Sequence, residues 1–483
     1  MYWLMALFFA AAALLALMVI RALSGPKAPP AGSLDKELLK PFAGAEDKLA
    51  ALLRIPTVSS FDPAEEDEAV FTRFKAELKT QYPVVHERLL LCEPSDRSLL
   101  FEWPGRRREL PPVVLCAHYD VVPAGDIELW EHSPFSGAVI DGFVHGRGAQ
   151  DIKIMLAAAM SAAEILLSRG FVPERSIYFA FGGDEEVGGL RGAACIAEEL
   201  KQRGVRASFL LDEGGFVADG LLSFADRPLA LIGISEKGYM DVALEAQGTG
   251  GHASMPPRHT ASGVVAKAVT ATEARRFRAK ITYTMAGLLK ALSRYSPFAY
   301  RFLFRNLFLT APLVKAAFSM TPTTNALLRT TSAATMLSGS QKENVLPQSA
   351  RAVLNVRLLP GSTVAGVLSE LDAIASRAGA RAVLAHQGHA NDPLPESSVE
   401  HEGYKAIVAA LAYAFPEAGA VPFMFTAGTD TKHYTQLSQG IYRLAPIFQK
   451  NEDITRVHAA NERISVDNVR RAVLFYVRLM EGL

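Results

Sequence analysis

Residues 111–120 read PPVVLCAHYD: two prolines, an unbroken apolar run from Val113 to Ala117, then histidine, tyrosine and aspartate. A short apolar run with a breaker on one side and polar residues on the other reads as a buried strand. The same design repeats along the chain. Residues 176–181 (SIYFAF) lead into GGDEE at 182–186, and residues 207–211 into DEGG at 212–215. Between the first two runs lies IKIMLAAAMSAAEILLSR, 152–169, whose alanine and leucine content predicts a helix ending at Gly170. Apolar strands alternating with helices predict an α/β domain with a central mixed sheet. Each strand ends in acids or histidine, where ligands gather in open α/β sheets.

The 483-residue chain is 49% hydrophobic and 21% charged, enough for a large core and two or three domains. Its 50 basic and 50 acidic residues cancel, so no global field draws it to nucleic acid, and no nucleic-acid partner is expected. Cys92, Cys116 and Cys195 are far apart and form no CxxC pair, so no disulfide framework is implied. The first charge is Arg21, and the twenty residues before it are long enough to span a bilayer as a helix. A cleaved signal peptide is the alternative, with Ala22-Leu23-Ser24 as the small-residue site, although no basic residue precedes the run. A buried core helix is the plainer reading. SGPKAPPAGS follows at once and reads as a flexible spacer, which favours a single-pass membrane anchor. Arg21 and Lys27 bias the orientation only weakly, so the side of the active site stays open.

The expected organisation is an anchor or signal peptide at 1–23, a Pro/Gly-rich linker at 24–44, and a catalytic domain at 45–236 and 391–483. A smaller α+β lid domain at 237–390 interrupts it. The lid carries the alternating strand YMDVALEAQG, the strands ARAVLNVRLLPG and ARAVLAHQG, and a helix over 364–377. Within it, 281–320 interleaves Phe298, Phe302, Phe304, Phe308 and Phe318 with Lys290, Arg294, Arg301, Arg305 and Lys315. This stretch reads as amphipathic helices that dock on a membrane, wall an acyl-binding pocket, or simply fill the lid core.

Five motifs carry the chemistry. His118 and Asp120 share a face if the strand continues through them, and a carboxylate beside a metal-bound histidine orients its ring. An unrelated strand-end histidine is the alternative. Asp151, in HGRGAQD, stands where an ordinary helix N-cap would, or offers two oxygens to two cations. Three consecutive acids in GGDEE repel one another unless neutralised, and a divalent metal does so economically. Glu186 can then ligate while Glu185 takes a proton from the attacking water. Asp212 in DEGG and His458 in RVHAANERI complete the set, although a lone late histidine is more often plain surface or core. Jointly they suit a pair of cations with mixed nitrogen and oxygen ligands.

In this order the motifs resemble the dinuclear zinc peptidases that include aminoacylase, acetylornithine deacetylase, succinyl-diaminopimelate desuccinylase, carboxypeptidase G and carboxypeptidase S. The resemblance runs from about Ala45 to the end. TTNALLRTT, KENVLP, NVRLLPG and GTDTKHY are most similar to carboxypeptidase S and the N-fatty-acyl-amino acid synthase/hydrolases. It implies two zinc ions per subunit, with cobalt or manganese as alternatives. His118, Asp151 and Asp212 would hold one, and Asp151, Glu186 and His458 the other, with Asp151 as the bridge. It further implies Glu185 as general base and acid, Asp120 behind His118, and His252 of GTGGHASMPP reaching the scissile carbonyl. In many relatives that histidine comes from a partner subunit's lid, which makes a homodimer one expected arrangement. Arg357 is the candidate for gripping a substrate carboxylate, since its guanidinium fork matches one, with Asn355 on the same strand face. Gly428, Thr429 and Asp430 would line the pocket through backbone amides, unless they are simple surface loop.

The expected activity is zinc-dependent hydrolysis of the amide bond of N-acyl amino acids, or of small peptides, with a free C-terminal carboxylate. A short-chain deacylase or dipeptidase is the alternative among enzymes. A non-catalytic metal-dependent binding protein is the alternative from another class, and Glu185 argues against it.

Overall fold

In the computed structural model, which describes residues 1–220, 224–386, 388 and 390–483, the run beginning at Val113 is a strand buried on both faces. Continuous apolar runs of this kind belong to sheets covered on both sides. Strands β1 (Ser98–Trp103), β2 (Val113–His118), β3 (Ile177–Gly182), β4 (Phe209–Asp212) and β5 (Leu229–Glu236) belong to one ten-stranded mixed sheet. β2 runs parallel to β3 and β4, while β1 is antiparallel to β3. Parallel pairing brings the ends of β2, β3 and β4 to one edge, with His118 opposite Gly182.

The chain then leaves this sheet. β6 (Gly238–Gln247), β7 (Thr331–Ser338), β8 (Ser349–Leu358) and β9 (Arg381–Leu384) form a separate antiparallel sheet in the order β7-β8-β6-β9. It returns with β10 (Gly419–Phe425), which pairs with β5, and β11 (Gly440–Arg443), which lies between β4 and β5.

Helix α1 (Tyr2–Leu23) is long and apolar enough to cross a membrane. Helix α2 (Lys153–Ser168) buries almost its whole circumference under the first sheet, since its alanines let neighbours approach from every side. Truncating one of its large apolar residues, such as Leu156, costs about 2–5 kcal/mol by loss of transfer energy and cavity formation. Lys153 opens this helix and is fully buried, donating to Ile55 O at 2.7 Å and Leu52 O at 3.2 Å. Burial lowers its ammonium to about 7. Helices α3 (Ala261–Ala274), α4 (Tyr283–Leu292), α5 (Phe298–Arg305), α6 (Leu307–Phe318), α7 (Val364–Ala378), α8 (Glu402–Ala414) and α9 (Val466–Glu481) follow in the chain.

The second sheet has its own core, in which Val242, Leu244 and Leu354 pack against Val265 of α3 and Leu371 of α7. The apolar insert does not join that core, contrary to its expected place in the lid. Leu288 and Leu292 of α4, Phe304 of α5, and Val314 and Phe318 of α6 pack with Leu229 and Leu231 of β5 and Val421 and Met424 of β10. The edge strand β10 supplies the apolar surface that draws these helices to the first sheet. Contact energy decides the position here, and sequence adjacency does not.

Candidate metal centre

His118, the last residue of β2, is buried with Nδ1 3.1 Å from Asp120 O and 3.3 Å from Asp120 Oδ1. Its Nε2 lies 3.2 Å from Asp151 Oδ1 and 3.4 Å from Glu213 Oε1. The other oxygen, Asp151 Oδ2, is 2.9 Å from His458 Nε2, which stands 3.2 Å from Glu186 Oε1. Two groups able to hold cations therefore share one carboxylate: His118, Asp151 and Glu213, and Asp151, Glu186 and His458. Each oxygen of Asp151 faces a different group. Glu186 Oε1 is buried without a hydrogen-bond partner despite the nearby imidazole. That fits ligands converging on an ion better than ligands pairing with each other.

The supports are as specific as the ligands. Asp151 caps nothing, because α2 starts from Ile152 without a side-chain cap. Its loop is instead held by buried Glu462, which accepts from Arg147 Nη1 at 2.7 Å, Gly148 N at 3.1 Å, Gln150 N at 2.7 Å and Asp151 N at 3.2 Å. Gly148 has φ 88°, and a Cβ there would meet Val121 Cγ1 at 2.8 Å, so the turn requires glycine. His458 adopts φ 60°, an uncommon backbone for a non-glycine residue, with its carbonyl accepting from Arg147 Nη2 at 3.2 Å. Asp120 Oδ1 accepts from Glu185 N and Oδ2 from Glu186 N, both at 3.1 Å, and Ser59 Oγ donates to Oδ2 at 2.7 Å. Asp120 thus fixes the His118 ring and the GGDEE loop together. Asp184, the first acid of GGDEE, closes that loop by accepting from Arg191 N at 2.7 Å and Gly192 N at 2.8 Å.

A profile of the peptidase family M20/M25/M40 matches residues 114–482. The chain belongs to that family. It is 37% identical over 441 residues to N-fatty-acyl-amino acid synthase/hydrolase PM20D1.1 of Danio rerio, covering 90% of this chain and 85% of the relative. It is 35% identical over 439 residues to probable carboxypeptidase S-like 2 of Dictyostelium discoideum, covering 90% and 84%. The M20 family metallo-carboxypeptidase Sso-CP2 from Sulfolobus solfataricus shares the fold, with a TM-score of 0.67 at 18% identity over 90% of this chain and 98% of that one. The M20 chain is a metallopeptidase of the amidohydrolase type, and the two residue groups around Asp151 are its candidate for a dinuclear metal centre.

Charge in this M20 centre is concentrated and mutually compensated. Burial works against the His118 imidazolium, yet the Glu213 charge and bonds to Asp120 and Asp151 raise its pKa well above the usual value. Burial would raise Asp151 too, but His118 and His458 hold its carboxyl below the ordinary range. The nearby carboxylates of Asp151 and Glu186 push His458 up to about 10. Glu185 makes no side-chain hydrogen bond among the described residues, and burial, then the Glu213 charge, raise its pKa well above a free carboxylate's.

Other expected residues stand elsewhere. Asp212 is absent from the inner group, and Glu213 occupies the place foreseen for it. Asp212 ends β4 on the Leu210 face, which Cys116 of β2 shares, and its Oδ2 is buried without a hydrogen-bond partner. Glu213 lies one residue past the strand, where the chain leaves the pleat, and brings Oε1 to 3.4 Å from His118 Nε2. Burial raises the Asp212 carboxyl to about 6. His252 is exposed on a two-residue strand, its Nδ1 2.8 Å from Ser254 Oγ, and joins neither group. Asn355 donates to Asp241 Oδ1 at 3.0 Å, and Arg357 lies over the Tyr239 ring at 4.7 Å with Nε 3.3 Å from Asn355 Oδ1. Thr429, expected to offer its amide to the pocket, is fully buried and turned to the protein interior. Its amide and hydroxyl donate to Glu236 at 3.4 and 2.9 Å, bracing the buried Glu236–Arg443 pair, so this amide does not serve a ligand. Gly428 is exposed beside Glu236, and Asp430 is buried with Oδ1 unpartnered. No local pattern marks Glu462, although it stands in HAANERI four residues after His458. No motif marks Lys237 either: burial and the Arg357 charge lower its ammonium to about 7.

Proposed function

We propose that this M20 enzyme hydrolyses the amide bond of N-acyl amino acids, or of small peptides ending in a free carboxylate, at two cations bridged by Asp151. The observation that carries the reading is the division of Asp151, Oδ1 toward His118 and Oδ2 toward His458, with Glu185 uncommitted beside them. Glu213 takes the inner ligand position in place of Asp212. Two cations in this nitrogen and oxygen cradle supply Lewis acidity and bring a nucleophilic water within reach near neutral pH; zinc suits the donors, as do cobalt and manganese.

Glu185 takes the proton of the attacking water and returns it to the leaving nitrogen. Asp120 positions rather than reacts, since it holds the His118 ring and the amides of Glu185 and Glu186. Arg357, with Lys237 near it, supplies positive charge for the substrate carboxylate. The second sheet acts as a lid, and His252 reaches the scissile carbonyl from the lid of a second subunit. The likeness to relatives named for N-fatty-acyl amino acids favours a long acyl chain. We also read α1 as an uncleaved anchor, because Met18 and Ala22 are buried and Met18 O accepts from Asn306 Nδ2 at 3.1 Å.

The test is a side-by-side assay of a long-chain N-acyl amino acid, an N-acetyl amino acid and a glycyl dipeptide, with and without chelator. Chelator-sensitive turnover greatest on the long chain is expected. Turnover only on the dipeptide or acetyl substrate would overturn the substrate class, and activity indifferent to chelator the whole reading.

A further inference from the structure

Helix α6 turns Thr310, Val314 and Phe318 inward, as a packed helix should. Its outward face is not polar. Leu309, Pro312, Leu313, Ala316 and Ala317 all point to solvent, with Leu309 52% and Leu313 62% exposed, and Phe308 at the helix start is 58% exposed. Apolar residues at i, i+3, i+4, i+7 on the free side of a helix have no role in the protein's own core. At 12 residues the helix is about 18 Å long, too short to cross a bilayer.

Its neighbours say what covers it. The end of α1 reaches the α5–α6 junction, where Asn306 binds Met18 O and Arg21 lies over the Phe308 ring at 5.1 Å. Met18 and Ala22 are buried there, while most of the rest of α1 is exposed. If α1 enters a bilayer, Arg21 marks the surface at which its charge stays, and α6 begins at that level. The stretch of chain on either side of it is one-sided in charge. Residues 274–342 contain eleven lysines and arginines and no aspartate or glutamate, in a chain whose net charge is zero. Among them Arg301 and Arg305 of α5 and Lys315 of α6 belong to the two helices beside the anchor.

We infer that α6 lies in the headgroup region of an anionic bilayer, with Phe308, Leu309 and Leu313 inserted among the acyl chains as a second attachment beside α1. An apolar face rimmed by cations is the pattern of helices that lie in the membrane interface, and a surface of anionic lipid complements an acid-free basic segment. This rests on the reading of α1 as an anchor. With two attachments the enzyme is fixed against rotation about α1, and the cleft keeps one orientation toward the membrane.

The test uses the full chain with Leu313→Trp in a Trp3→Phe background, bound to phosphatidylcholine vesicles with and without phosphatidylglycerol. Trp103 and Trp130 are buried in the protein, and their signal is subtracted with the same chain lacking Leu313→Trp. The added tryptophan is expected to emit at short wavelength and to lose about half its intensity to lipids brominated on the upper acyl chain, with weaker quenching when phosphatidylglycerol is absent. Water-exposed, unquenched emission would overturn the inference, as would unquenched emission with a doubled particle mass, which would show two copies covering this face. Retention on vesicles in high salt reports the α1 anchor separately. Retention without quenching leaves the anchor standing and removes the docking. Quenching without retention would overturn the anchor reading and, with it, the claim of a second attachment beside α1.

Discussion

The two cation groups share Asp151 but are built by different parts of the molecule. The inner one stands on the sheet: His118 ends β2, Glu213 follows β4, and the His118 side chain is 2% exposed. The outer one stands on loops: Glu186 follows the glycines after β3, and His458 sits at a left-handed backbone position with its side chain 49% exposed. A site made by strand ends is as rigid as the core beneath it, whereas one made by loops depends on hydrogen bonds such as those of Glu462. The inner cation is therefore expected to exchange slowly and the outer one readily.

The sharpest way to separate ligand from base is Glu185→Gln. Turnover should fall about 10²–10⁴-fold while both cations remain bound, as measured by steady-state rates beside metal content. Glu462→Ala leaves Arg147 buried and unpaired and frees three amides, so unfolding free energy should drop by about 3–5 kcal/mol, read from denaturant melts. Outer-cation occupancy should fall with it. His118→Ala and His458→Ala test the comparison itself: each should bind one cation fewer, and only His118→Ala should also lower the melting temperature clearly. Equal melting shifts in the two variants would remove the distinction.

The smallest effect concerns pH. In the metal-free chain the folded pKa of His458 is raised to about 10, so the stabilisation from its pairing is complete below the unfolded value near 6.5 and is lost as pH rises through about 10. His458→Ala should flatten the metal-free melting curve across that window, modestly because the ring is half exposed. Cation uptake at neutral pH should likewise release protons, seen as a buffer-dependent heat in calorimetry.

Much of this was legible in the chain because strands announce themselves. Val113 to Ala117 reads as a buried strand and is one, and the predicted helix over 152–169 is observed as Lys153–Ser168. His118 ends a strand, Glu186 follows one and Asp151 precedes a helix, but it was the resemblance to the dinuclear zinc peptidases that joined them and His458 into one ligand set. What failed depended on direction and distance. DEGG offers two adjacent acids, and only the turn the chain takes after β4 brings Glu213 rather than Asp212 beside His118. Glu462 meets its partners across more than 300 residues of chain, a contact no local pattern encodes. The GTD loop looked like a backbone-amide site, but the Glu236–Arg443 pair that claims Thr429 comes from two other strands. The apolar insert followed β10 rather than its sequence neighbours, for the same reason.

The central claim is that one carboxylate joins two cations, and counting bound metal tests it most directly. Wild-type and Asp151→Asn chains would be purified, loaded with zinc, desalted and analysed for zinc per chain by mass spectrometry. Two per chain for the wild type and fewer than one for Asp151→Asn are predicted. Asp151→Asn protein that keeps two, or wild-type protein that never holds more than one, would contradict the account.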